Sequence, residues 1–272
     1  MEKLLEHRPT DQIAPYQELK KSILKAGLLS CSEQGFNILR GPLAELAQVL
    51  AARLGELCAD TDRWTTPLLL RRDWVIEDAW HDPPPEQWCT EQPGGHLLTP
   101  RPLMHLLNRL RRHPQQSGAW LLSGPCVRDE RGTLPLYRQR AFTVLEYAWL
   151  GEAHTVGHSQ ADVWDCVWEL AKGWDLPVDQ VAGEPETRAS AADYAAEWSL
   201  RLVLPDLDAV PLARATVLPL NLCAAHGLAP QVVTTLGLGV ERWCLAILAR
   251  YGVDPAGWPI PPHAAQSAPA TP

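Results

Sequence analysis

The sequence contains no apolar run near the ~20 residues that a membrane-spanning helix requires. Its first residues, MEKLLEHRPTDQ, carry too many charges for the apolar core of a secretory signal. We therefore expect a cytoplasmic protein with no membrane segment. Basic residues are the minority, since 24 Lys and Arg against 32 Asp and Glu give a net charge of −8. This balance argues against a surface devoted to nucleic acid, although a local basic patch is compatible with it.

The sequence also lacks a cysteine framework. Its 7 cysteines are odd in number, scattered, and never spaced as Cys-x-x-Cys. This distribution supports neither a set of disulfides nor a zinc ribbon, so reduced thiols are the expectation.

No internal repeat and no Pro/Gly/Ser-rich linker divides the chain between residue 96 and the C-terminal tail. Hydrophobic residues make up 46% and charged residues 21% of the 272 residues, values typical of a folded globular protein. We expect a single domain over residues 1–258 and a disordered Pro/Ala-rich tail at 259–272.

Hydrophobic periodicity predicts an α+β fold. Leucines recur at three- and four-residue intervals over 42–57, which is typical of an amphipathic helix, and an extended segment containing Pro67 follows. A second long helix is predicted to begin at a Ser159 cap and to run to residue 174. The other predicted helices are at 100–113 and 240–251, and extended segments are predicted at 118–128, 139–151, 197–204, 217–227 and 231–239, the first two forming a hairpin.

Three of these segments, taken in chain order, resemble a known set of motifs. They are the helix at 42–57 with the segment around Pro67, the hairpin GPCVRDE…YRQRAFTVLEYAWLG, and the glycine-led helix GLGVERWCLAIL. Together they resemble motifs 1, 2 and 3 of class II aminoacyl-tRNA synthetases. The sequences GVERWCLAILARYGVDPAGWP and ADVWDCVWELAKGWDLPVDQV are similar to the end and to the helical insertion of the seryl-tRNA-synthetase-like amino acid:carrier protein ligases.

The resemblance implies the class II catalytic fold, an antiparallel sheet flanked by helices, assembled as a homodimer through the first motif. It implies adenylation of an amino acid or related acid with ATP and Mg²⁺, followed by transfer to the phosphopantetheine thiol of a carrier protein. Transfer to tRNA is less expected, because no tRNA-binding arm is recognised and the chain is acidic. A catalytically impaired protein with a binding or regulatory role is the alternative.

The resemblance also assigns an ATP site on the hairpin and the glycine-led helix. It implies that Arg128 holds the α-phosphate and the substrate carboxylate, that Arg138 holds the outer phosphates, and that Arg242 holds the γ-phosphate and the adenine face. Arg128 and Arg242 would be the catalytic residues, Phe142 would stack under the adenine, and Glu130 would accept from its exocyclic amine. Guanidinium groups suit this task because they are always charged and donate in pairs. Taken singly, each arginine is better explained as a surface charge, and only their joint spacing on the hairpin and the glycine-led helix favours the ATP site.

The substrate end departs from the family pattern. In the carrier protein ligases, zinc held by Cys, Glu and Cys binds the substrate amino group. Glu146 falls at the place of the glutamate, but Leu103 and Thr235 stand where the two cysteines are expected. We therefore expect a site without zinc, in which Leu103 adds an apolar wall, Thr235 adds a hydroxyl, and Glu146 receives the ammonium group. Nearby residues that could instead rebuild a metal site are His105, His96 and Cys89.

Two further expectations concern magnesium and the carrier protein. The stretch ATVLPLNLCAAHG keeps a polar Asn221 for the substrate site, but it carries no carboxylate for Mg²⁺. A carrier protein is usually acidic where it docks, so an acidic ligase needs a local basic face. Arg109, Arg111 and Arg112 are candidates for that face, although cations at a helix C-terminus equally fit the helix dipole.

Overall fold

The computed structural model describes residues 3–9, 13–32, 34–75, 87–89, 94–115, 117–182 and 197–260. Most of the predicted tail, residues 261–272, lies outside this part of the chain. No helix in the described ranges is long and apolar enough to cross a membrane.

Six α-helices and twelve strands are interspersed along the described part of the chain. The helices are α1 (Tyr16–Lys25), α2 (Pro42–Gly55), α3 (Leu103–Arg112), α4 (Ala153–Gly173), α5 (Leu220–Ala225) and α6 (Val240–Tyr251). The strands are β1 (Lys3–His7), β2 (Leu29–Cys31), β3 (Asn37–Leu39), β4 (Asp62–Thr65), β5 (Leu69–Arg71), β6 (His96–Leu98), β7 (Gly118–Val127), β8 (Ala141–Gly151), β9 (Val178–Ala182), β10 (Trp198–Leu204), β11 (Leu207–Val217) and β12 (Val232–Gly239).

A large sheet of eight strands organises the fold, in the order β1-β9-β10-β11-β12-β8-β7-β4. Its neighbouring strands are antiparallel except at one edge, where β4 pairs parallel with β7. The expectation of a flanked antiparallel sheet is therefore confirmed for the body of the sheet, whereas the β4 edge makes it mixed. Two small sheets, β2-β3 and β5-β6, lie outside it.

The two faces of the sheet have different coverings, and strand alternation decides which residues lie on each. Along β8, Tyr147 and Trp149 belong to the core cluster that includes the buried residues of α1, α2, α4 and α6. Ala148 and Leu150 belong instead to a second cluster with α3 and α5. The second cluster covers only part of its face, and the uncovered part holds the cavity described below.

The sequence predicted α2, α3, α6 and the β7-β8 hairpin, and the structure confirms them. The predicted start of α4 at Ser159 is wrong, because α4 begins at Ala153 and the Ser159 hydroxyl donates to the Thr155 carbonyl inside the helix. Val156 and Gln160 are buried against the sheet, so tertiary packing fixes this first turn although its sequence has no helical periodicity.

Two predicted extended segments also differ from the structure. Residues 217–227 contain the short helix α5, which begins after Pro219, and the strand that precedes it is β11. Pro67 lies in the bend between β4 and β5 rather than within a strand. Its carbonyl accepts a hydrogen bond of 3.0 Å from the Thr99 hydroxyl, which ties this bend to the end of β6.

Candidate active site

A cavity of about 280 Å³ opens on the partly covered face of the sheet, above β8, β11 and β12. Its lining is strongly charged and includes five arginines and three glutamates. These are Arg101, Arg128, Arg138, Arg214 and Arg242, with Glu130, Glu146 and Glu241. The lining has more positive than negative groups in a chain that is acidic overall, so the cavity favours an anionic ligand.

Strand register places these side chains in a row across the sheet. Gly237 of β12 lies opposite Glu146 of β8 on one side and opposite Arg214 of β11 on the other. A Cβ atom built on Gly237 would meet nothing within 4 Å. The missing side chain therefore leaves open space between the two charged residues, where a ligand can lie close to the backbone.

Arg242 lies at the start of α6 and is held from two sides. Its Nε donates to the Tyr137 carbonyl at 3.1 Å, and its Nη1 donates to the Pro211 carbonyl at 3.1 Å. Burial, with the charge of Arg128 as the second cause, lowers the pKa of Arg242. The group stays cationic at neutral pH because an arginine pKa lies so far above 7.

Arg128 and Phe142 meet at the end of the hairpin. The guanidinium carbon of Arg128 lies 5.2 Å from the centroid of the Phe142 ring. The Nε of Arg128 donates to the Pro100 carbonyl at 3.0 Å. Cation–π and hydrogen-bond contacts thus fix the cation beside an aromatic face, an arrangement suited to a ring stacked near a phosphate.

Glu130 and Arg138 lie at the outer side of the same end. Arg138 Nε and Glu130 Oε2 are 3.9 Å apart, and the Arg138 side chain is 48% exposed. A pair at this distance and exposure is loosely held. The five residues predicted for ATP binding therefore all line one cavity, as their spacing on the hairpin and α6 suggested.

The other end of the cavity contains Glu146, but its partner was not predicted. Glu146 is fully buried, and its Oε1 accepts from Arg101 Nε at 2.7 Å and from Arg101 Nη2 at 2.6 Å. Arg101 Nη2 also donates to the Thr235 hydroxyl at 2.9 Å. The Thr235 hydroxyl in turn lies 2.7 Å from the hydroxyl of Thr216 on β11. Thr235 is therefore brought to Glu146 through Arg101.

Three residues expected to contact the substrate with their side chains do not line the cavity. Thr235 is fully buried, and its hydroxyl is held by Arg101 and Thr216. The Leu103 side chain is fully buried in the cluster with α3 and does not line the cavity, because α3 begins there and turns it inward. Leu103 still contributes its backbone N–H, which donates to Glu146 Oε2 at 3.1 Å. Asn221 is exposed on α5 and is also absent from the lining, because a helix replaces the expected extended segment.

Glu241 is a further cavity residue that the sequence reasoning did not single out. Its two carboxylate oxygens accept from the Thr143 N–H at 2.9 and 3.0 Å, which joins the start of α6 to β8. Burial raises the pKa of Glu241, and the bonds from Thr143 oppose that effect. The sequence did contain a signal for Glu241, since this residue directly precedes Arg242 in the motif GVERW.

The donors present fit a protein-held metal poorly. In the described ranges, no group of three or more His, Cys, Asp or Glu residues is arranged to hold a metal ion. His105 is buried beside the Thr99 hydroxyl, 3.0 Å from its Nε2, and Glu146 is engaged by Arg101. None of the β11 residues that line the cavity carries a carboxylate; they are Pro211, Leu212, Ala213, Arg214 and Thr216. The expected absence of zinc stays a prediction that metal analysis must test.

The fold is shared with class II aminoacyl-tRNA synthetases. A seryl-tRNA synthetase of Methanopyrus kandleri, solved in a complex with a tRNASec of Aquifex aeolicus, superposes with a TM-score of 0.78 at 16% identity. It matches over 96% of this chain and 63% of its own. The cytoplasmic serine-tRNA ligase of Naegleria fowleri, solved with AMP, gives a TM-score of 0.77 at 12% identity over 95% of this chain and 62% of its own.

Prolyl-tRNA synthetases give the same result. The enzyme of Giardia lamblia, solved with prolyl-adenylate, gives a TM-score of 0.72 at 13% identity over 85% of this chain and 52% of its own. No protein-family model matches the sequence, and no curated protein matches it. The chain therefore has the class II synthetase catalytic fold, and it spans less than two thirds of the length of these structural neighbours.

Proposed function

We propose that this protein adenylates an amino acid or related carboxylic acid with ATP and transfers the acyl group to the phosphopantetheine thiol of a carrier protein. The observation that carries the proposal is the placement of Arg128, Arg242 and Phe142 around one cationic cavity on a class II sheet. Structural neighbours of this fold were solved with AMP and with prolyl-adenylate, which supports an adenylate ligand here.

In the proposed first step, a substrate carboxylate oxygen attacks the α-phosphorus of ATP. A bond forms between that oxygen and phosphorus, the bond from phosphorus to the bridging oxygen breaks, and pyrophosphate leaves. Arg128 neutralises the two anions that approach each other, while Arg242 and Arg138 hold the outer phosphates. Such a step depends on position and charge neutralisation rather than on covalent help from the protein. Mg²⁺ would enter with the phosphates, since the cavity-facing side of β11 offers no carboxylate.

In the proposed second step, the carrier thiol releases its proton to solvent and its sulfur attacks the acyl carbonyl carbon. A bond forms between sulfur and that carbon, the bond from the carbon to the phosphate oxygen breaks, and AMP leaves with the electron pair. The exposed arginines of the last turn of α3, Arg109, Arg111 and Arg112, would attract an acidic carrier protein. The net charge of −8 makes a tRNA acceptor a weaker candidate.

Exchange of labelled pyrophosphate into ATP, measured over a panel of carboxylic acids, tests the first step. We expect exchange that depends on one acid or a small group of acids. Failure of every acid to support exchange would contradict adenylation. If ATP then still bound, the alternative of a catalytically impaired binding protein would be favoured, for which the missing β11 carboxylate is the supporting observation.

Two further properties belong to the same proposal. We expect a cytoplasmic homodimer that pairs through α2 and the β4 edge, and light scattering should give about twice the chain mass of 30.1 kDa. A clean monomer at micromolar concentration would contradict it. We also expect protein purified without chelator to be free of zinc. Near-stoichiometric zinc that is lost on Glu146→Gln substitution would show that other side chains complete a metal site.

A further inference from the structure

The substrate end of the cavity is closed by a buried ion pair. The Glu146 side chain has 0% exposure and the Arg101 side chain 13%. Glu146 Oε1 accepts from Nε and Nη2 of Arg101, and Oε2 accepts from the backbone N–H of Leu103. Both carboxylate oxygens are therefore engaged by donors of the protein itself. Such a pair is costly to break, because each partner would become an uncompensated charge in a buried place.

The contacts continue from the ion pair along the sheet. Arg101 Nη2 donates to the Thr235 hydroxyl at 2.9 Å, and that hydroxyl lies 2.7 Å from the Thr216 hydroxyl. Thr216 lines the cavity together with Arg101 and Arg214. Arg214 lies across Gly237 from Glu146 in the strand register. A substrate at this end therefore meets the guanidinium of Arg101 and the hydroxyl of Thr216.

The remaining carboxylates of the cavity do not offer a site for a cation. Glu241 accepts the Thr143 N–H with both oxygens, and Glu130 lies 3.9 Å from Arg138 at the opposite end. At the substrate end, the lining includes the Arg101 guanidinium, which already holds Glu146. A free ammonium group would lose water contacts on entering and would meet repulsion from like charges.

We infer that the acyl substrate is a carboxylic acid without a free α-ammonium group, such as a 2-hydroxy, 2-oxo or dicarboxylic acid, and that Arg101 determines this specificity. The inference rests on the proposed adenylation and narrows it to one substrate class. It replaces the expectation that Glu146 receives the ammonium of an amino acid, since Arg101 already occupies that carboxylate.

Matched sets of acids that differ only at the α-substituent test the inference. One set is L-lactate, pyruvate and L-alanine, and larger sets are L-malate with L-aspartate and 2-hydroxyisocaproate with L-leucine. In pyrophosphate exchange, we expect the best hydroxy or oxo acid to exceed its amino partner at least tenfold in kcat/KM. An amino acid that equals or exceeds its partners across the sets would overturn the inference.

Substitutions at the ion pair give a second readout. Arg101→Met leaves Glu146 available for an ammonium, so the ratio of amino to hydroxy acid activity should rise at least tenfold. Arg101→Lys keeps the positive charge and should keep the wild-type preference. If Arg101→Met does not fold, the double variant R101M/E146Q removes both charges and should reduce the discrimination between the partners to less than threefold. Arg8→Met is the matched control, because Arg8 pairs with Glu6 on the surface at the end of β1.

Direct binding separates this inference from the proposed function. Calorimetry with each acid and a non-hydrolysable ATP analogue needs no turnover. If the analogue binds and no acid supports exchange, adenylation fails, whereas tighter binding of the hydroxy or oxo acid than of its amino partner still supports the inference. Equal binding, tighter binding of the amino acid, or no binding of any acid would contradict it.

Discussion

The two ends of the cavity use the same residue type in opposite ways. At the end with Phe142, Arg128 and Arg242 donate hydrogen bonds to backbone carbonyls, which fix the guanidinium groups without cancelling their charge. At the other end, Arg101 is paired with the buried carboxylate of Glu146. Cations held by neutral acceptors remain available to attract phosphate, whereas a cation paired with a carboxylate shapes the site and excludes other cations.

The largest expected effect comes from the end whose charge is not cancelled. Arg242→Ala should reduce pyrophosphate exchange at least tenfold, because a charge-assisted contact to phosphate contributes ~1.5–3 kcal/mol. Arg8→Ala, in an exposed pair with Glu6 at the end of β1, is a suitable control and should leave exchange unchanged. Equal exchange by wild type and Arg242→Ala would show that this end does not hold the nucleotide.

Substitution at the other end of the cavity, where Arg101 is paired with Glu146, should mainly reduce the stability of the protein. Arg101→Leu should lower the free energy of unfolding by about 3–5 kcal/mol, because it leaves the buried Glu146 carboxylate without its cation. The double variant R101L/E146L removes both charges and should recover most of that loss. Urea unfolding measures both, and a double variant no more stable than Arg101→Leu would mean that the carboxylate is not the cause.

Outside the cavity, the buried residue His226 should make the stability of the protein depend on pH. Burial, with Arg111 as the second cause, lowers the pKa of His226 to about 4. A lowered folded pKa stabilises the protein above the unfolded value near 6.5, and this contribution is lost as pH falls toward 4. Between pH 6.5 and 4, the free energy of unfolding of the wild type should fall by about 3 kcal/mol more than that of His226→Gln. Parallel pH profiles in thermal or urea unfolding would exclude His226 as the group responsible.

The smallest effect is expected from the basic end of α3, outside both ends of the cavity. Reversing the charges of Arg109, Arg111 and Arg112 should slow carrier acylation several-fold at low salt and weaken its salt dependence, with pyrophosphate exchange unchanged. The Arg112 guanidinium lies 4.7 Å from the Trp74 ring, so part of any effect can be structural. Charge reversal at the exposed Lys21 and Lys25 of α1 is the matched control. If carrier acylation is unaltered by the charge reversal, the three arginines do not dock the carrier protein.

The grouping of residues at the Phe142 end could be anticipated from sequence, because these residues lie close together along the chain. Arg128, Glu130, Arg138 and Phe142 belong to one hairpin, and Arg242 begins a helix marked by glycines. Hairpin geometry and a short motif are local signals, so the sequence pattern was sufficient to predict that these side chains lie close together. Glu241 was missed although it lies within that motif.

The paired end could not be anticipated in the same way. Arg101 is 45 residues from Glu146 and 134 residues from Thr235. The register of β8 against β12 brings Glu146 and Thr235 near each other, and the packing of the segment before α3 on the sheet adds Arg101. Arg101 lies between Pro100 and Pro102, and this local sequence was the one available sign of a fixed backbone. The ligand pattern instead drew attention to Leu103, two residues further on.

The remaining misses have a common physical origin. Strands β1, β2 and β3 are three to five residues long and show little alternation, so the sheet context rather than their sequence defines them. Strand β11 contains Pro211, which argues against a strand when it is considered alone. In the sheet, the Pro211 carbonyl accepts from Arg242 and thereby forms part of the site.

Calorimetric titration of ATP into the purified protein tests the central claim most directly, since every step above requires a nucleotide at the Arg128–Phe142–Arg242 end. We expect one ATP per chain, competition by AMP, and at least tenfold weaker binding to Phe142→Ala, which removes the aromatic face beside Arg128. Absence of ATP binding by the wild type, or equal binding by Phe142→Ala, would contradict the assignment of this cavity.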